Sequence, residues 1–197
     1  MEVAMRVFRA LCVLLGVMLL CWAAPVLAAE HSLVQGRVKV TAPGSWVVLE
    51  EGAQGAAELV GFYIPFASAE GSRDDANAIV TVNTNPRAID VTAYSSLVLR
   101  DFLSLPSSVV LSDVTEGMWR TVVWNGRQGT TSYMVVDRFA ATPDLLILCR
   151  ISWPVVDMID GGMAEIIDQA NFVLTSLRVD GETAPGGPVL SLEPLSE

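Results

Sequence analysis

The chain has 197 residues, 52% of them hydrophobic and 17% charged, enough for one domain with a sizeable core and too apolar for a disordered chain. Its 12 lysines and arginines stand against 22 acids, a formal net charge of -10, so no basic stripe is present for a phosphate backbone and nucleic acid is excluded as a partner. A single histidine removes most histidine-based chemistry.

Residues 1–28 read as an export signal. Arg6 and Arg9 precede an apolar run from Ala10 to Ala24, and Pro25 then leads into Val26-Leu27-Ala28-Ala29. A charged start, an apolar middle and small residues before the cut define a secretory signal peptide. Cleavage is expected after Ala28, with Ala29 as the alternate. The run is shorter than the roughly 20 apolar residues of a membrane span, so no span is expected after cleavage. Leu20 before Cys21 argues against lipidation, and the absence of a twin-arginine pair favours the general export route. Cys12 and Cys21 leave with the signal. Cys149 then has no partner within the chain, and no intramolecular disulfide can form. No Asn-x-Ser/Thr sequon occurs. These features point to a bacterial periplasmic or secreted protein.

Strand-like segments follow in order: Arg37–Thr41, Trp46–Leu49, Leu59–Phe66, Ala78–Asn83, Val109–Val114, Trp119–Trp124, Thr130–Phe139 and Leu145–Trp153. Glu116-Gly117 and Asn125-Gly126 read as hairpin turns, the second being the strongest short hairpin signal in the chain. Apolar residues occupy both faces of Trp119–Trp124 and of Leu145–Trp153, which predicts a sheet covered on both sides. Two helices are predicted as the cover. One runs over Val91–Leu103 behind an Asp90 N-cap, with Val91, Tyr94, Leu97, Val98 and Phe102 as its stripe. The other runs over Asp157–Thr175, with Ile159, Met163, Ile166, Ile167, Ala170 and Leu174 inward and Gln169 outward. Gly161-Gly162 weakens its first turn. The expected fold class is α+β, a mainly antiparallel sheet covered on both faces by helices. The expected organisation is a signal at 1–28, one domain at 29–179 and a disordered acidic Pro/Gly tail at 180–197.

The order of elements resembles the PsbP-like and DcrB-like group of α/β/α sandwiches. The resemblance is carried by Val38-x-Val40-x-Ala42-Pro43-x-x-Trp46, by the helix after Asp90 and by Val122-x-Trp124-Asn125-Gly126 leading into a long strand. A closing helix ending at Leu174-Thr175-Ser176-Leu177 completes it. It spans most of residues 36–179 and departs from the group at an acidic insertion, Glu70–Asn77. It implies a non-enzymatic accessory subunit, an import-factor binder or a chaperone for hydrophobic segments.

Catalytic parts are scarce. His31 lies near the expected mature N-terminus, where chains are loose. Cys149, flanked by Ile147, Leu148 and Ile151, reads as a buried inert thiol. Asp74-Asp75 with Glu70 and Asn77 lack the spacing of a calcium loop. Gly126 and Gly129 read as turn glycines. Asp137, Asp144, Asp157 and Asp160 offer carboxylates in principle, but surface acids are the simpler reading. Trp46, Trp119, Trp124 and Trp153 read as core rather than as a carbohydrate or peptide platform. No catalytic, cofactor-binding or metal residue is therefore assigned, and no cofactor is expected. The expected function is non-enzymatic: an exported binding or accessory protein recognising another envelope protein or an apolar peptide segment. A small carboxylate-pair hydrolase and a carrier of an apolar ligand stand as alternatives. Oligomeric state is left open.

Overall fold

The computed structural model describes residues 28–66, 76–104, 107–128, 130–155, 162–186 and 189–190. Alternating apolar and polar residues make long strands here, and the strands pair antiparallel throughout. The large sheet has the order β3(Val47–Gln54)–β4(Ala57–Ile64)–β5(Ala76–Thr84)–β9(Leu145–Pro154)–β8(Thr131–Ala141)–β7(Trp119–Gln128)–β6(Val109–Glu116). A second, four-stranded sheet joins β1(Ala29–Leu33), β2(Val38–Ala42), β10(Arg178–Val179) and β11(Glu182–Thr183). Among the described residues the helices are α1(Val91–Leu103) and α2(Gly162–Ser176). Among the described residues no helix is long and apolar enough to cross a membrane. The signal expected over 1–28 lies, apart from Ala28, outside the described residues.

The expected α/β/α sandwich, with helices covering both faces of the sheet, is overturned. Strands take up 54% and helices 20% of the described residues, a β-rich sandwich. On one face the cover is the small sheet together with α2, whose Ile166, Ala170, Val173 and Leu174 join Val38, Val40, Phe62, Ile147, Ile151 and Trp153 in the main core. On the other face, among the described residues, α1 packs over Val122, Val135 and Phe139. A 13-residue helix is a rod about 20 Å long. Seven strands spaced about 4.8 Å apart make a sheet about 29 Å wide before its length is counted. The two-faced apolar pattern of β7 and β9 belongs to the sheet centre and does not extend to its edges. Every residue of β3 and β6 is exposed. Both edge strands carry a register shift, between Val48 and Glu50 and between Val110 and Ser112. Such bulges interrupt the ladder that a foreign strand would extend.

α1 is anchored as its sequence requires: the Asp90 carboxylate accepts from the Ala93 N–H at 2.7 Å. Its buried side is Val91, Tyr94, Ser95 and Leu99, while Leu97 and Phe102 from the expected stripe are exposed. Ser95 fits inside because its hydroxyl donates to the Val91 carbonyl and accepts from Arg120 Nη1, both at 2.7 Å. In α2, Gln169 is not idle at the surface; its side-chain oxygen accepts the Trp46 indole N–H at 2.6 Å.

Both chain ends of the domain are more ordered than expected. His31 sits in β1 opposite Val40, edge-on to Phe62 at 5.0 Å and 3.4 Å from Glu51. Five backbone pairs with β2 hold that segment, so it is not a loose terminus. Residues 180–186, expected in the tail, turn at Asp180-Gly181, form β11 and bury Ala184. The remainder of the expected tail, apart from Val189 and Leu190, lies outside the described residues. Arg37 clamps this end. Its Nε and Nη2 donate to Asp180, and its Nη1 and Nη2 donate to Asp144, at 2.6 to 3.0 Å. Hydrogen bonds from Arg37, then from Thr142, lower the Asp144 carboxyl to about 2, and Arg37 lowers Asp180 too.

Candidate functional site

Beyond the C-terminal end of α1, the described residues leave a cleft open on the outer face of the large sheet. Antiparallel register sets which side chains meet there. Trp124 lies opposite Val135, Val135 opposite Ser152 and Ser152 opposite Asn77, which makes one cross-strand row. Two residues along the strands, Val122, Asp137, Arg150 and Ile79 make the next row, and Gly126 and Tyr133 a third. The first row, Arg150 of the second, and Gly126 and Tyr133 of the third floor an open cleft of about 750 Å³, walled by Phe102 at the end of α1 and by Ser108 and Arg127.

A polar cluster holds the floor rigid. Asp137 is fully buried, and its carboxylate accepts from Arg150 Nε at 2.6 Å, Arg150 Nη2 at 2.9 Å and Trp124 Nε1 at 2.9 Å. The Arg150 guanidinium packs 4.6 Å from the Phe102 ring centre and 5.8 Å from that of Trp124. Phe102 and Trp124 stand 5.7 Å apart. The Ser152 hydroxyl donates to Asn77 Oδ1 at 2.9 Å. Next to this cluster, burial pushes the Tyr94 phenol, on the buried side of α1, up to about 12.

Gly126 explains the shape of the cleft. It is not a turn residue: Asn125-Gly126 lies inside β7, and the hairpin closes further on, beyond the Gln128–Thr131 pair. A Cβ at Gly126 would stand 2.7 Å from Trp124 Cζ3. The indole folds across the glycine backbone, and that contact requires the missing side chain.

Of the acids singled out in the sequence, the two that are described, Asp137 and Asp144, have separate partners. Asp137 is committed to Arg150 and Trp124. Asp144 is exposed on the Arg37 clamp. Asp157 and Asp160 lie outside the described residues, as do Glu70, Asp74 and Asp75. Asn77 lies at the cleft. Among the described residues no cluster of metal-binding groups occurs. Cys149 is fully buried on the opposite face, where burial pushes its thiol up to about 12. Trp46, Trp119, Trp124 and Trp153 are all buried, but Trp124 also lines the cleft, so it serves both the core and the site. Sequence reading missed Arg150 and Phe102 as site residues. The available signal was a charge inside each of two neighbouring apolar strands, Asp137 and Arg150.

No protein-family model matches the chain, and no curated protein matches it. Solved structures do. The Saccharomyces cerevisiae Ran-binding protein Mog1p is similar at a TM-score of 0.53 and 13% identity, over 78% of this chain and 96% of that one. LpqN of Mycobacterium tuberculosis, described as involved in cell envelope biogenesis, matches at 0.45 and 15% identity, over 80% and 90%. The first likeness defines a shared fold and nothing more; the second is below the level at which a fold is compared. Neither protein is named for the PsbP-like or DcrB-like group.

Proposed function

We propose that this chain is an exported, non-enzymatic binding or accessory protein that holds an apolar segment of another protein in the cleft. The observation that carries the reading is the continuity of apolar surface. The aromatic wall of the cleft runs onto exposed Phe102 and onto Val110 and Leu111 of the edge strand β6, at 40%, 45% and 41% exposure. Val110 lies directly opposite Trp124. Exposed apolar residues clustered beside a concavity mark a contact surface. A fold shared with a protein described as Ran-binding supports a protein partner, although a fold alone does not fix a function. The PsbP-like resemblance and the signal-like residues 1–28 support an accessory role in a bacterial envelope. A small apolar ligand is the second reading, favoured by a cleft volume within the range of small-molecule sites.

The test is affinity capture from envelope extract with the wild-type protein, Phe102→Asp, Val110→Asp and, on the opposite face, Phe172→Asp. A partner retained by wild type and Phe172→Asp but lost with Phe102→Asp and Val110→Asp is expected. Equal recovery by all four sinks the reading. So does turnover of ester, glycoside or peptide substrates that disappears on changing one acid.

A further inference from the structure

We propose that the cleft recognises a carboxylate borne on an apolar or aromatic body, with the carboxylate on the Nη1/Nη2 edge of Arg150 and the body against Phe102 and Trp124. This rests on the cleft being the binding site.

Arg37 shows what an arginine does in this molecule. Its Nε/Nη2 edge takes one carboxylate, Asp180, and its Nη1/Nη2 edge takes a second, Asp144. Arg150 uses its Nε/Nη2 edge in the same way, on Asp137. Its Nη1/Nη2 edge faces no carboxylate among the described residues, and Arg150 lines the cleft. A planar guanidinium presents that second edge as a fork matched to two carboxylate oxygens. Asp137 fixes the plane of the fork, and Phe102 and Trp124 pack beside it, so little order is lost when a ligand docks.

Charge agrees with this assignment. The chain is strongly acidic overall, yet among the described residues lining the cleft there are two arginines, Arg127 and Arg150, and no acid. Stability does not account for the cluster. A buried ion pair is commonly no better for stability than apolar residues of the same volume. The Asp137–Arg150–Trp124 group is therefore read as a support for the binding edge of Arg150, with Asp137 as a positioning residue.

The experiment follows tryptophan emission of the purified protein during titration. The probes are acetyl-Val-Val-Phe with a free C-terminal carboxylate, its C-terminal amide, 3-phenylpropionate and 3-phenylpropionamide. Saturable changes are expected for the acids, about 10- to 100-fold tighter than for the amides, and Trp124→Phe should abolish the signal change. Arg150→Gln alone strands a buried carboxylate. The paired variant Asp137→Asn/Arg150→Gln removes both charges together and leaves two amides able to bond each other, so it should fold while losing the preference for acids. Arg127→Gln should reduce that preference without removing it. Equal affinity of acid and amide, a preference that survives in the paired variant, or no saturation by any probe up to about 10 mM overturns the proposal. Peptides that bind without an acid preference overturn it and leave the segment reading standing. 3-Phenylpropionate binding with the preference while the peptides fail supports the carboxylate site and sinks the segment reading instead.

Discussion

Replacing Asp137 by Ala tests the physics under the cleft. The substitution removes three hydrogen bonds at once, leaving Arg150 without its counter-charge and the Trp124 indole N–H without its acceptor. Removing one member of a buried pair costs about 3–5 kcal/mol, because the remaining charge stays desolvated. The Arg150 side chain keeps 19% exposure through the cleft, so water recovers part of the loss and the lower end, about 3 kcal/mol, is expected. For a domain of this size that corresponds to a fall in Tm of about 6–12 °C. Adding Arg150→Met removes the stranded cation and should restore about 2 kcal/mol, so the second substitution stabilises the first. Urea denaturation followed by far-UV circular dichroism measures all three variants. A loss below about 1 kcal/mol for Asp137→Ala, or a double variant less stable than the single one, would refute the assignment of this cluster as a desolvated pair.

Three further outcomes are expected. Gly126→Ala should cost about 1–3 kcal/mol and shift the near-UV signal of the tryptophans, since Trp124 must leave its bond to Asp137 to admit a methyl group; an unchanged near-UV spectrum contradicts the packing. Cys149 should resist a thiol reagent at about pH 8 in the folded protein and react at once in guanidinium, and prompt native labelling would contradict its place on the inner face of β9. Arg37 holds Asp144 at about 2, against about 3.9 in an unfolded chain, so on acidification the unfolded state takes up its proton first. The clamp's contribution is complete above about pH 4 and fades toward pH 2. Arg37→Gln should flatten that acid limb in a pH series of urea midpoints, and an unaltered limb rules the clamp out as its source.

The alternation of β2 and β5 was legible because each turns one side of its pleat into the core and the other toward half-wet surroundings. α1 was legible from its Asp90 cap. Its rotation was not, because Ser95 replaces an apolar residue on the buried side, where its hydroxyl accepts from Arg120, which lies on a strand later in the chain. β1, with the sequence Ala-Glu-His-Ser-Leu, carries no strand pattern of its own and exists by pairing with β2. Asn125-Gly126 misled for a related reason: the dipeptide is a good turn, but here the glycine answers to an indole two residues back. The Asp137–Arg150 pair was written in the sequence as two charges amid apolar runs. Only the register of β8 against β9 shows that they face each other.

The Arg37 clamp and the small sheet also set an order of assembly. β2 finds one neighbour, β1, at once, but its other neighbour, β10, is among the last described segments of the chain. Arg37 and Asp180 lie 143 positions apart. A chain emerging N-terminus first, from a ribosome or through a narrow pore, cannot complete this layer until nearly all of it has passed. Contacts of such long sequence separation form slowly, because the loop between them must be closed first. The architecture therefore leaves the leading end of the domain open until the trailing end arrives to close it.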